Sequence, residues 1–170
     1  GKMLGELGAV YMGLNSASFS SYGSEKRGSP VKAYIRWCSD SHDIGINSPV
    51  ENPHILGLFH EAMIGKMSVT AGVSEETKII INTSSTPDEM RERLKLCAGE
   101  VYCIDALKIA MESKTRINMV ILGAIVKASE FIPLDLTVEM VKDTIGKKYP
   151  ELIKNNIEGV KRGYEEAVFK

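Results

Sequence analysis

The chain has 170 residues, 44% hydrophobic and 25% charged, with a formal net charge of −1. A domain of this size buries roughly 70% of its unfolded surface, so it holds a core without disulfide or metal staples, and one compact domain over residues 1–170 is expected. The balanced charge, with no block of like sign, argues against nucleic acid or an anionic membrane as the principal partner.

Met3, Leu4, Leu7, Val10, Tyr11 and Leu14 recur at helical spacing, so the chain is expected to open inside an amphipathic helix. No charged segment followed by an apolar core and cleavage site precedes it, which predicts no signal peptide. Leu14 to Ser20 reads as a strand. Val31, Ala33, Ile35 and Trp37 then alternate with Lys32, Tyr34 and Arg36 as a second one.

Between them lies Ser21-Tyr22-Gly23-Ser24-Glu25-Lys26-Arg27-Gly28-Ser29-Pro30, in which two glycines and a proline force the backbone to bend. A shaped polar loop between strands is where scaffolds display function. A plain solvated connection is the other reading of the same residues.

The polar run Ser39 to Asp43 and Gly45 form a turn, and Pro49 and Pro53 restrict the extended path of Ile44, Ile46 and Val50 to edge or loop positions. Ile55 to Phe59 is a nearly all-apolar run of strand length, as in a sheet covered on both faces. Glu61 to Met67 is read as a short helix, Val69 to Val73 as part of a connection, and Lys78 to Ile81 as a further strand.

In the segment Asn82 to Glu89, Thr86 and Glu89 match a capping box with Pro87 at the first helical position, predicting a helix to about Leu96. Asn82, Thr83 and Ser84 stand beside free helix-terminal N–H groups, a setting able to hold a phosphate or carboxylate, although simple capping and turn chemistry is the more ordinary reading of these residues. Glu100 to Ile104 reads as another strand and Ala106 to Glu112 as a helix after Asp105. This alternation predicts a three-layer α/β/α domain with a mostly parallel sheet, its functional edge at the carboxyl ends of the strands.

Ile117 to Phe131 is apolar nearly all round, with Gly123, Ala124 and Ala128 small enough to admit another backbone. Its length fits a buried core helix and not a membrane span. Asn118 in its first turn needs a partner if buried. Pro133 closes that helix, Leu136 to Lys147 makes the next, and Ile153, Ile157, Val160, Tyr164 and Val168 mark a long terminal helix.

Cys38, Cys97 and Cys103 are too few and too scattered for an iron–sulfur or structural zinc framework, and indicate reduced thiols in a cytoplasmic protein. His42, His54 and His60 lack metal-ligand spacing, so no metal site is predicted.

Together the residues carry a resemblance. Tyr22 to Val31 followed by Ala33-Tyr34-Ile35-Arg36 is similar to the aromatic-Gly-x-Glu-x-Arg-Gly-Gly/Ala-x-Val pattern in the gamma subunit of 2-oxoacid:ferredoxin oxidoreductases, whose best-known members belong to pyruvate:ferredoxin oxidoreductase. Further matches run in order: Asn52-Pro53, Ile80-Ile81-Asn82-Thr83, Val101 to Lys108, Asn118 with Leu122-Gly123-Ala124, Asn155-Asn156, and Lys161 to Glu166. The family normally opens with a strand and a Gly-x-Gly-Gly-Gln-Gly turn ahead of the first helix. That segment is expected to be missing from the numbered chain, which starts at Gly1-Lys2 where the helix is under way. His60 stands where similar proteins often carry an acidic residue after the strand.

The resemblance implies a complex that converts a 2-oxoacid and coenzyme A to an acyl-CoA and carbon dioxide while reducing ferredoxin. It implies alpha, beta and delta partner subunits, with thiamine diphosphate, magnesium and iron–sulfur clusters. This chain has neither a Gly-Asp-Gly anchor for thiamine diphosphate nor a cysteine array, so those groups are expected on the partners and the isolated chain is expected to be inactive. Its expected share is interface, active-centre wall or coenzyme A surface. Tyr22, Gly23, Glu25, Arg27 and Gly28 form the interface loop, and Asn82, Thr83, Ser84 and Asn118 are candidate anion or coenzyme A contacts. The other function classes are a non-catalytic ligand-binding or scaffold α/β domain, and a dinucleotide-binding enzyme, which needs a glycine-rich turn that the numbered chain lacks.

Overall fold

The computed structural model describes residues 1–22, 31–39, 41–45, 48–65 and 68–170, Tyr22 by its backbone alone. Contacts gather them into two compact units, residues 1–51 and 52–170.

In the first unit, α1 (Lys2–Glu6) continues as a wider turn over Leu7–Tyr11, in which the Met12 N–H reaches the Leu7 carbonyl at 3.1 Å. The helix expected to run to Leu14 therefore stops short, and Gly13 at φ 63° turns the chain into a strand. That strand, β1 (Asn15–Tyr22), pairs antiparallel with β2 (Val31–Cys38) along its whole length, Asn15 opposite Cys38 and Tyr22 opposite Val31. Phe19 and Tyr34 stack across the pair with ring centres 5.1 Å apart.

The second unit holds a four-stranded sheet in the order β3 (Ile55–Leu58), β4 (Lys78–Asn82), β5 (Glu100–Ile104), β6 (Val168–Phe169). The first three are parallel, with Leu58, Ile81 and Cys103 in register, and β6 is antiparallel. Alternation sends Ile79, Ile81, Val101 and Cys103 to one face, where they pack with Leu58 and with Met90 of α2 (Pro87–Arg93). Ile80, Tyr102 and Ile104 face the other way, against α3 (Ala106–Glu112) and α4 (Ile117–Ser129). Ile79, Ile80 and Ile81 are each fully buried, worth about 1.5–3 kcal/mol apiece over exposure. The α/β/α arrangement with a mostly parallel sheet follows from these two covered faces.

Behind α4 lies α6 (Ile153–Glu166), with α5 (Leu134–Gly146) packed on it. A Cβ on Gly123 of α4 would stand 1.9 Å from the Val160 carbonyl oxygen, and one on Gly163 of α6 the same distance from that of Val120. The two backbones touch through reciprocal glycines. Of the three small residues expected to admit a neighbour, Gly123 faces α6, whereas Ala124 and Ala128 join the cluster over the sheet.

Several element ends differ from expectation for identifiable reasons. The predicted capping box at Thr86 and Glu89 is present, but α2 ends at Arg93 because Lys95 turns left-handed, φ 53°, and the Leu96 N–H bonds the Arg91 carbonyl. α4 stops at Ser129, whose hydroxyl donates to the Val126 carbonyl and accepts from the Ile132 N–H. Pro133 accordingly caps the start of α5, which begins at Leu134. The terminal helix ends at Glu166, where Lys127 donates to the Ala167 carbonyl at 2.6 Å and frees Val168–Phe169 to pair with β5. Of the short helix read from Glu61 to Met67, Glu61–Met63 forms a single tight turn and Ile64 is already extended, while Lys66 and Met67 lie outside the described residues.

Candidate functional site

Because β3, β4 and β5 are parallel, their carboxyl ends share one edge, from which Phe59 and His60, the Asn82–Ser85 segment and Asp105 emerge. One carboxamide joins all three exits: Asn82 Nδ2 donates to the Phe59 carbonyl at 3.0 Å, and its Oδ1 accepts from the Ala106 N–H at 3.0 Å. The Thr83 N–H adds a bond to the Ile104 carbonyl, and Asp105 caps α3 by accepting from the Lys108 N–H. Thr83 is buried, and its hydroxyl accepts from the Ser85 N–H at 3.1 Å. That hydroxyl, foremost, and the Arg93 guanidinium, which hydrogen-bonds Glu61, hold the Glu61 carboxyl below the ordinary carboxylate range against the opposing effect of burial.

Beside this edge lies an open depression of about 480 Å³. Phe59 and His60 from the end of β3, Leu107 and Met111 of α3, and Arg116 and Asn118 at the start of α4 line it. A second depression, on the other side of α3, also takes in Leu107 and Met111, together with Asp105, Lys108 and Glu112. α3 buries Ala106, Ile109 and Ala110 against the sheet, and so turns Leu107 and Met111 outward. These outward residues were not singled out from the sequence, although the signal is there: α3 carries more apolar side chains than a helix with one buried face requires.

The candidate anion contacts separate into two kinds. Asn82 and Thr83 spend their side chains on internal bonds, whereas Ser84 and Asn118 are exposed. Asn118 therefore needs no internal partner. Gly23, Glu25, Arg27 and Gly28 lie outside the described residues. The paired ends of β1 and β2, Tyr22 opposite Val31, fix where the chain leaves and re-enters that loop.

Among the described residues no three His, Cys, Asp or Glu side chains gather as metal ligands. Cys38 is half-buried on β2, Cys97 is exposed, and Cys103 is buried in β5, where its surroundings and the charges of Glu61 and Glu89 push the thiol up to about 12. Among the described residues no helix is long and apolar enough to cross a membrane.

Comparison with known proteins connects this geometry to a family. The model of the family described as pyruvate ferredoxin/flavodoxin oxidoreductase matches residues 1–166. The chain is 31% identical over 153 residues to the pyruvate/ketoisovalerate oxidoreductases common subunit gamma of Thermococcus litoralis, covering 89% of this chain and 80% of that one. It is 31% identical over 169 residues to the pyruvate synthase subunit PorC of Thermotoga maritima, covering 98% and 85%. The crystal structure of pyruvate oxidoreductase subunit PORC from Thermotoga maritima superposes with a TM-score of 0.83 at 26% identity, over 99% of this chain and 88% of that one. A gamma subunit of a keto/oxoacid ferredoxin oxidoreductase from Geobacter sulfurreducens shares the fold, with a TM-score of 0.68 at 16% identity over 98% of this chain and 88% of that one. By sequence along nearly its whole length and by fold, the chain belongs to the pyruvate ferredoxin/flavodoxin oxidoreductase family, as a gamma or PorC-type subunit of a pyruvate or 2-oxoacid:ferredoxin oxidoreductase.

Proposed function

We propose that this chain works in a cytoplasmic complex with alpha, beta and delta subunits, where it supplies subunit interface and part of the wall around the catalytic centre. The complex takes a 2-oxoacid and coenzyme A to an acyl-CoA and carbon dioxide, and the electrons released pass to ferredoxin. Thiamine diphosphate, held with magnesium on other subunits, supplies the carbanion chemistry, and iron–sulfur clusters, also held there, carry the electrons. The observation that carries this reading is the family match over residues 1–166. By itself the chain is inactive.

Within that reading, Tyr22, Gly23, Glu25, Arg27 and Gly28 form the loop that reaches the catalytic centre. Arg27 offers a planar fork suited to a carboxylate or phosphate, and Glu25 pairs with it or with a partner chain. Gly23 and Gly28 permit the bend and a close approach of backbone. On the coenzyme A side, Ser84 and Asn118 keep exposed side chains for a contact, while Asn82 and Thr83 hold the loops that present them.

Co-expression of the chain with its partner subunits, followed by ferredoxin-linked 2-oxoacid oxidation, tests the proposal. Removing the chain is expected to abolish turnover. Losing a partner from a buried interfacial charge costs about 2–5 kcal/mol, against about 0–1 for a solvated pair. Arg27→Ala is therefore expected to lower assembly or turnover tenfold or more, since each 1.4 kcal/mol is about tenfold. Parent-like assembly and turnover in that variant would reduce the loop to a solvated connection.

A further inference from the structure

We infer that Glu61 is a positioning residue for the coenzyme A contact at Ser84: through the Thr83 hydroxyl it fixes the turn that presents that serine. The inference rests on the reading of Ser84 as a coenzyme A contact and names the residue that sets it in place. Ser84 follows β4 closely and its side chain is exposed, so its position depends on its two neighbours. The Thr83 N–H donates to the Ile104 carbonyl at 2.9 Å, which ties the backbone before Ser84 to the end of β5. The Ser85 N–H donates to the Thr83 hydroxyl at 3.1 Å, which ties the backbone after it. Both ties meet at Thr83, which is only 5% exposed.

A hydroxyl has a single proton to donate, and the group that takes it decides how the oxygen is turned toward its own donor. Among the described residues, two side-chain acceptors meet the Thr83 hydroxyl: the Met90 sulfur at 3.9 Å and the Glu61 carboxylate. The carboxylate prevails, because a bond to an ionised oxygen is roughly twice as strong as a neutral one, whereas a thioether accepts weakly. Glu61 opens the tight turn after β3, and Arg93, the last residue of α2, holds its carboxylate by an ion pair in which Glu61 is the more buried partner. One carboxylate thus joins the turn after β3, the turn after β4 and the carboxyl end of α2. Glu61 lies on none of the segments that bear the coenzyme A contacts, so its effect on them passes through Thr83.

Three measurements test this together: calorimetry of coenzyme A binding to the assembled complex, steady-state kinetics of the complex, and amide exchange of the chain. Glu61→Ala is expected to weaken coenzyme A binding and raise its KM about fivefold or more, with kcat and the KM for the 2-oxoacid within about twofold of the parent. The same variant is expected to speed exchange of the Ser85 amide proton. Thr83→Val, which removes the bond from its other end, is expected to give the same shifts, and the double variant to be no weaker than either single one. Glu61→Gln keeps an oxygen to accept from Thr83 and is expected to bring both readouts back to within about twofold of the parent. Ser84→Ala locates a failure. If it raises the KM for coenzyme A while Glu61→Ala and Thr83→Val do not, the positioning role is overturned and the contact stands. If Ser84→Ala binds coenzyme A like the parent, both fall. Lost assembly, or equal losses in kcat and in both KM values, in Glu61→Ala and Thr83→Val assigns Glu61 to general stability and overturns the inference.

Discussion

Replacing Gly123 by alanine tests whether α4 and α6 are held at backbone contact. An added Cβ would lie 1.9 Å from the Val160 carbonyl oxygen and 2.7 Å from the Tyr164 nitrogen, whereas ordinary contact begins near 3.4 Å. The helices must therefore part by about 1.5 Å, the difference between 3.4 and 1.9 Å. A gap of even 0.5–1 Å forfeits about a quarter to a half of the dispersion attraction across it. Overpacking of this kind costs about 1–3 kcal/mol or more, and here the obstacle is backbone, so about 3–4 kcal/mol is expected. The alanine returns about 1 kcal/mol of helix propensity, leaving a net loss of about 2–3 kcal/mol. For a chain of this size that is a fall in Tm of roughly 5–10 °C. Gly146→Ala is the matched control, because its Cβ would meet only the movable end of Ile153, at 2.8 Å. Urea and thermal unfolding followed by circular dichroism compare the two. Equal stability of Gly123→Ala and Gly146→Ala would refute the backbone contact.

Acid stability should depend on two glutamates. The Thr86 N–H and then its hydroxyl depress Glu89, as Thr83 and Arg93 depress Glu61, so the unfolded chain takes up these protons first as pH falls. Their contribution is present above the unfolded value of about 4.5 and is lost as pH drops through the lower folded values. Urea midpoints across that window should fall less steeply in Glu61→Gln and Glu89→Gln than in the parent, and equal slopes would contradict the assignment. Lys95→Gly should raise stability by about 0.5–1 kcal/mol, because Lys95 holds a left-handed φ of 53° that glycine adopts without strain; a lower urea midpoint would count against this. With a thiol reagent near pH 8, exposed Cys97 should react on the order of 100-fold or more faster than buried Cys103, and equal rates would show that β5 opens freely.

The parts of the fold legible in the sequence are those with one dominant signal. The β-branched run Lys78 to Ile81 and the Thr86-Pro87-Glu89 cap each admit a single local structure, and both stand where the sequence places them. Element ends were less legible because long-range bonds decide them. Nothing local announces that Lys127 will reach the Ala167 carbonyl and convert the end of a helical pattern into β6, or that lysine will take the left-handed turn usually given to glycine. At the candidate site the sequence identifies polar residues after β4. Their division into internal and exposed side chains depends on Phe59, 23 residues before Asn82, and Ala106, 24 residues after it. The excess of apolar side chains on α3 is visible in the sequence, but which of them face outward is decided only when the sheet claims Ala106, Ile109 and Ala110.

The Asn82 carboxamide makes the carboxyl edge mechanically continuous. Displacing the backbone at Phe59 pulls on Nδ2, and because the amide group is planar the pull arrives at Oδ1 and at the first N–H of α3. A load applied beside His60 is thus felt at the base of the helix that carries Leu107 and Met111, without any loop having to unfold. The Ala106 amide proton becomes a strain gauge for this edge. Its exchange rate should track whatever moves Phe59, and a single resolved resonance would then report on an event at the end of another strand.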